Sequence, residues 1–379
     1  MENRAFRIGP IRPPSEANSL LIQVTNGCTW NRCRFCQLYR HTKFRAYSAD
    51  SIKEDIDNIA YWAERIKKHE HPVWDIPALN EELASLTDDD ERQCYYMVAN
   101  WLLSGGENVF LQDGNTTALS SGRLTDVLRY LRQVFPQVKR ITSYGRAENL
   151  SKTSAEGFAE LKEAGLDRIH SGYETGSDAV LERINKGVTQ AQQIIAGKAV
   201  KTGGIELSIY FMPGVGGKDL SQDNAEGTAH VINEVGPDFV RIRTAAIKPG
   251  TELYADWRDG LFELCSDDDK VREIRRVIEL SDRAPDTAIK SDHMINLLQD
   301  IDGLIAHRET LLEKIDGYLE MPADDRRLFQ LLRRTLRAYG PEDMKNLSND
   351  EKEAIIATIR PYSERDWDIK MNEYICRYV

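Results

Sequence analysis

Cys28, Cys33 and Cys36 stand together in the stretch GCTWNRCRFCQLY, spaced C-x4-C-x2-C. Three thiolates on one short loop suit an iron–sulfur cluster. Full ligation takes four cysteines, and no fourth lies nearby in the sequence. One iron would then be left to bind something else. A competing set adds His41, five residues beyond Cys36, to make a Cys3His structural zinc site. A third reading takes the cysteines as small core hydrophobes. Cys94, Cys265 and Cys376 are scattered along the chain. They are too far apart in sequence for a second cluster, and are read as buried thiols.

Such a loop needs a scaffold, and the hydrophobic pattern supplies one. Strand-like apolar runs fall at Leu20–Thr25, Asn108–Gln112, Arg140–Tyr144, Arg168–Gly172, Ile205–Met212 and Phe239–Thr244. Helical patterns lie between them. Leu124, Val127, Leu128 and Leu131 repeat at i, i+3, i+4 and i+7, and Ala225, Thr228, Ala229 and Ile232 do the same. The alternation predicts βα units with parallel strands. Six units predict an α/β fold, a partial (βα)6 parallel barrel. Ligands in this architecture bind at the carboxyl ends of the strands, and the cysteine loop follows the first strand. Residues 1–17 form an N-terminal extension and residues 18–254 the core. Residues 40–106 are a helical insertion within that core, with Ile52, Ile56, Ile59 and Ala63 marking one helix. Past residue 255 strand patterns vanish, and residues 255–379 read as a helical C-terminal region.

The cysteine loop resembles that of the radical S-adenosylmethionine (SAM) superfamily. The family usually has C-x3-C-x2-C with an aromatic residue before the last cysteine. Phe35 fills that place, while the first gap is one residue longer. Residues 18–254 resemble the core shared by methylthiotransferases, the Elongator catalytic subunit and oxygen-independent coproporphyrinogen oxidase. The resemblance implies a 4Fe–4S cluster on Cys28, Cys33 and Cys36, with SAM chelating the free iron. It implies reductive cleavage of SAM to a 5′-deoxyadenosyl radical that takes hydrogen from a substrate. Asp113, Gly114 and Asn115 would hold the SAM amino group, and Ser143 and Arg146 would face the site. Glu174 would bind the ribose hydroxyls or the amino group, Lys186 the carboxylate. Gly214 and Gly216 would form the adenine shelf.

Each of these residues also has a plainer reading. Asn115 could cap a helix. Ser143 and Arg146 could lie in a surface turn. Glu174 and Lys186 could favour the two ends of one helix. The glycines could mark a flexible loop. The sequence names no catalytic residue beyond the cofactor ligands.

The 379 residues carry a net charge of −11, which argues against nonspecific nucleic-acid binding. The opening MENRAFRIGPIRPP lacks an apolar signal-peptide core, and no apolar run suffices for a membrane span. The expectation is a cytoplasmic enzyme acting on a small-molecule substrate, with a one-electron donor such as a flavodoxin or ferredoxin. RNA or peptide modification is the runner-up. A zinc-stabilised interaction protein is the non-enzymatic rival. Ser291-Asp292-His293 is placed on the helical part as a structural histidine that could face substrate. The arginine run Arg326, Arg327, Arg333, Arg334 and Arg337 is read as a solvated helix face.

Overall fold

The computed structural model describes residues 3–70 and 73–378. The chain forms two compact units. The first comprises Met1–Asn31, His41–Ser171 and Ala199–Leu207, the second Arg32–Arg40, Gly172–Lys198 and Ser208–Val379.

The first unit opens with β1 (Leu20–Gln23), followed by a two-stranded ribbon of β2 (Thr25–Asn26) and β3 (Arg45–Ala46). Three helices follow: α1 (Ala49–Lys67), α2 (Ile76–Ser85) and α3 (Asp89–Leu103). Then come β4 (Asn108–Gln112), α4 (Ser121–Val134), β5 (Arg140–Tyr144), α5 (Ala147–Leu150) and α6 (Ala155–Ala164). β6 (Arg168–Glu174) begins in this unit and its last residues enter the second. β1 pairs with β4, β4 with β5, and β5 with β6, all parallel. All four residues of β1 are buried, as expected of a parallel strand covered on both faces. The stripe Leu124, Val127, Leu128 and Leu131 is buried along α4. Within residues 40–106, Ala49–Lys67, Ile76–Ser85 and Asp89–Leu103 are helical and Arg45–Ala46 is a strand. Ile52, Ile56, Ile59 and Ala63 are buried along α1, and Ser48 caps it by accepting from the Ser51 N–H. Glu82 on α2 accepts from the Tyr95 hydroxyl of α3 at 2.9 Å, and Trp62 of α1 meets Tyr95 edge-to-face. The N-terminal segment threads over α1 and α3: Trp62 donates to the Arg4 carbonyl, and Cys94 exchanges hydrogen bonds with the Phe6 backbone. Burial pushes the Cys94 thiol up to about 12, which marks it as a packing residue.

The chain continues with α7 (Asp178–Arg183), α8 (Gln190–Thr202), whose last residues belong to the first unit, β7 (Glu206–Phe211), whose first two residues do as well, α9 (Ser221–Val235) and β8 (Phe239–Ile242). After α10 (Glu252–Arg258) and α11 (Asp267–Leu280) come two more strands, β9 (Ala288–Lys290) and β10 (Gly303–Leu304). Four helices close the chain: α12 (Arg308–Leu319), α13 (Ala323–Arg334), α14 (Asn349–Ile359) and α15 (Glu364–Ile375). β7, β8 and β9 are parallel in that order, and β10 pairs antiparallel with β9. These strands correct the expectation that none follow residue 255. Both are too short to show a period, and they lie in the region that read as helical. The molecule is thus mixed α/β, with the eight strands of these two ladders mostly parallel. The apolar core of this unit gathers Val180, Ile184, Val215, Ile247 and Leu253, with Phe35 packed against it. Among the described residues no helix is long and apolar enough to cross a membrane.

Candidate cofactor and substrate site

β2 leads directly into the cysteine loop. Gly27 takes a φ of 83° there, a left-handed turn that glycine makes without strain. Cys28 follows, half-buried. Arg146, just beyond β5, brings its Nη1 to 3.8 Å from the Cys28 sulfur and its guanidinium to 5.6 Å over the Trp30 ring. Positive charge therefore sits beside a sulfur whose metal-ligating form is anionic.

Asn115 ties these loops together. It is fully buried and makes no cap with its side chain. Its Nδ2 donates to Thr29 Oγ1 at 2.9 Å and to Asn149 Oδ1 at 2.6 Å. Its Oδ1 accepts from the Arg146 backbone N–H at 3.1 Å and from the Thr117 hydroxyl at 3.0 Å. One amide thus joins the end of β4, the end of β5 and the loop carrying Cys28. Asp113 is buried beside it, its N–H donating to Thr25 Oγ1 at 3.2 Å, and Gly114 is half-buried. Ser143 on β5 is fully buried and its hydroxyl has no partner among the described residues. It is not part of a surface turn.

The second unit holds Cys33, buried, and Cys36, half-buried. Their carbonyls accept from the Arg40 guanidinium at 3.0 and 3.1 Å. Arg34 anchors the same segment: its N–H donates to the Ile184 carbonyl at 2.9 Å and its guanidinium pairs with Asp256 at 2.7 Å. Phe35 lies between, its ring centroid 5.7 Å from Lys186 Nζ.

Glu174 ends β6 with a φ of 66°, unusual for a residue with a side chain. Its carboxylate accepts from Lys186 Nζ at 2.8 Å, with the side chains 11% and 10% exposed. Gly172 makes room for it, since a Cβ there would fall 2.3 Å from Glu174 Oε1. The two residues are therefore a buried ion pair. At the end of β7, Gly214 and Gly216 are buried. The Gly214 N–H donates to Glu273 of α11 at 2.8 Å, and Asn224 Nδ2 donates to the same oxygen at 2.7 Å. Burial pushes the Glu273 carboxyl up to about 7 despite those hydrogen bonds.

Cys28 thus belongs to the first unit, Cys33 and Cys36 to the second. Among the described residues no three His, Cys, Asp or Glu side chains stand together as a metal-ligand set. The donor types do suit the groups named. A cation flanks one thiol, an orphaned hydroxyl ends β5, and a buried acid and base of opposite charge match the two charged ends of an amino acid.

No protein-family profile matches the chain. It is 30% identical over 105 residues to the tRNA uridine(34) acetyltransferase of Methanocaldococcus jannaschii, a match covering 27% of this chain and 19% of that protein. It is 27% identical over 196 residues to the 4'-phospho-dehydrooxetanocin synthase of Priestia megaterium, covering 51% of this chain and 23% of the relative. Among solved structures, the cobalamin-dependent S-adenosylmethionine radical enzyme OxsB aligns over 94% of this chain and 58% of its own, at 14% identity and a TM-score of 0.47. The chain is similar to radical SAM enzymes. It spans less than half the length of these curated relatives.

Two sequence expectations about the second unit change. Ser291, Asp292 and His293 follow strand β9 rather than lying on a helix. The arginine run is only partly a solvated face: Arg337 is exposed, but on α13 Arg334 pairs with Asp267 at 2.8 Å, Arg326 with Asp268 at 2.8 Å, and Arg333 donates to the Met294 carbonyl. Arg333 and Arg334 are buried. The acids that pair with Arg326 and Arg334 lie 58 and 67 positions away, so local composition gave no sign of them. Asn149, Gly172 and Glu273 were also missed, because each acts through a residue distant in sequence or through the absence of a side chain.

Proposed function

We propose that this chain is a cytoplasmic radical SAM enzyme of the oxidoreductase, transferase or lyase kind, built on a partial (βα)6 barrel. Cys28, Cys33 and Cys36 would hold a 4Fe–4S cluster. Asp113, Gly114, Asn115, Ser143, Arg146, Glu174, Lys186, Gly214 and Gly216 would hold SAM, with Phe35 beside the last cysteine. When bound, the two cofactors supply reductive cleavage of SAM to a 5′-deoxyadenosyl radical that abstracts hydrogen from the substrate. The chain's own residues do the positioning. Arg146 and Asn115 set the path of the loop at Cys28, while Arg34 and Arg40 hold the Cys33–Cys36 segment. Lys186 offers a cation to a carboxylate, and Glu174 offers acceptors to hydroxyl or ammonium donors.

The observation that carries this reading is the C-x4-C-x2-C loop with Phe35 before its last cysteine, supported by the similarity to radical SAM enzymes. A small organic substrate and a one-electron donor such as flavodoxin or ferredoxin complete the proposal. The net charge of −11 favours a small molecule over nucleic acid. The match to a tRNA-modifying relative supports the second reading, RNA modification.

The test is anaerobic reconstitution. Iron-loaded protein should be brown, bleach with dithionite, and with SAM and reductant release 5′-deoxyadenosine. Alanine at any of Cys28, Cys33 or Cys36 should abolish that release. A protein that takes up zinc and no iron would end this reading in favour of the zinc site, and tight tRNA binding at physiological salt would move the substrate to RNA.

A further inference from the structure

β7, β8 and β9 run parallel, and a polar cluster gathers where they end. Tyr210 on β7 and Arg241 on β8 are register partners. Arg243 lies two residues beyond Arg241 and so returns to the same side of the chain. The intervening and neighbouring positions Ile209, Val240, Ile242 and Ile289 are buried apolar residues. The two arginines, one on β8 and one just past its end, therefore share one face.

The arginines share one carboxylate. Asp292, two residues past β9, accepts from Arg243 Nη1 at 2.9 Å and from Arg241 Nη1. Arg241 Nε also donates to Ser208 Oγ at 3.1 Å, and its side chain is 5% exposed. Arg243 stacks 5.0 Å from the Tyr210 ring centroid. Its Nη1 also donates to the Ile242 carbonyl at 2.8 Å, but its Nη2 is buried and has no hydrogen-bond partner among the described residues. A guanidinium presents a fork of donors, and here one prong is left without an acceptor. The neighbouring imidazole adds no competing charge. Burial and then the Arg243 charge push His293 down to about 4, so it is neutral near pH 7.

We infer that the carboxyl ends of β7, β8 and β9 form an anion-binding site in which Arg243, stacked on Tyr210 and oriented by Asp292, receives a phosphate or carboxylate group of the substrate. An unsatisfied prong on a fixed guanidinium suits an anionic oxygen as its acceptor. Strand carboxyl ends are where α/β folds bind ligands. Calling the ligand a substrate rests on the radical SAM proposal; binding of the anion does not.

The test uses the full chain without added iron. Inorganic phosphate and, separately, acetate are titrated by calorimetry at fixed ionic strength. Saturable one-site binding is expected, and the tighter of the two probes identifies the anion. Arg243→Gln should weaken it at least tenfold, while the exposed-surface variant Arg258→Gln leaves it unchanged. Asp292→Asn removes the resident competitor and should tighten binding at least threefold, which decides the matter should Arg243→Gln fail to fold. The inference is overturned by no saturable binding of either anion, or by an affinity unmoved in both site variants. Iron uptake and 5′-deoxyadenosine release are then measured on a portion of the same preparation after anaerobic reconstitution. Iron-free protein that still binds phosphate would remove the proposed function and leave this site standing.

Discussion

Lys186 donates to Glu174 at 2.8 Å in a place where both side chains are about nine-tenths buried. They stand twelve positions apart in sequence, and α7 lies between. The pair satisfies itself, so neither charge is stranded in the folded chain. A ligand bearing both an ammonium and a carboxylate can exchange with it at little electrostatic cost, because each end finds the opposite charge.

Removing one partner leaves the other buried alone. Lys186→Ala should destabilise the iron-free chain by about 3 kcal/mol, the low end for a broken buried pair. Glu174→Gln combined with Lys186→Met should recover part of that loss. Urea denaturation measures both. SAM affinity should fall in Lys186→Ala by roughly 1.5–3 kcal/mol, as for a lost charged hydrogen bond, and calorimetry with SAM would show no change if Lys186 has no part in binding.

Gly172 is required by volume rather than by backbone conformation. An added methyl would lie 2.3 Å from the Glu174 carboxylate and 3.3 Å from Lys186 Nζ. Gly172→Ala must push the pair aside, costing about 1–3 kcal/mol by overpacking. Thermal melting gives the stability, and SAM titration shows whether the displaced pair still serves. A variant as stable as the parent would mean the strand relaxes without moving Glu174.

Asn115→Ala breaks four hydrogen bonds at one buried amide. With several partners left unsatisfied, a loss of about 2–3 kcal/mol is expected. Iron retention after reconstitution should drop as well, since Thr29 adjoins Cys28. Asn115→Asp keeps the shape but cannot donate to Thr29 or Asn149, so it should resemble Asn115→Ala. Retention equal to the parent in both variants would confine Asn115 to an ordinary turn.

Glu273 makes stability depend on pH. Its folded value near 7 stands above the ordinary 4.5. Between those values the folded chain holds a proton that the unfolded chain has released. Stability therefore falls as pH rises through this window, by roughly 3 kcal/mol in all. Glu273→Gln can keep an acceptor toward Gly214 and Asn224 while losing the titration. The stability difference between this variant and the parent should grow from pH 5 to pH 7.5 and then level. A difference that stays flat across that range would show that the buried carboxyl does not take up a proton there.

The N-terminal two-thirds were legible because burial on a parallel sheet leaves a direct trace in sequence. Asn108–Gln112 and Arg140–Tyr144 stand where the apolar runs put them. α4 buries the stripe its periodicity marks. β9 and β10 were not legible, since three and two residues carry no period. The α13 arginines misled for a different reason. Charge composition suggests solvent, and only acids on α11 make Arg334 a core residue.

By itself the sequence determined the cysteine spacing, the βα rhythm and the acidic balance, because each depends on residues near one another along the chain. Only the tertiary structure decided that Asn115 joins three loops, that Glu174 and Lys186 neutralise each other, and that Arg243 keeps an open donor beside a shared carboxylate. Those relationships depend on which strands become neighbours, and a strand's neighbours are chosen by packing across the whole sheet rather than by its own residues.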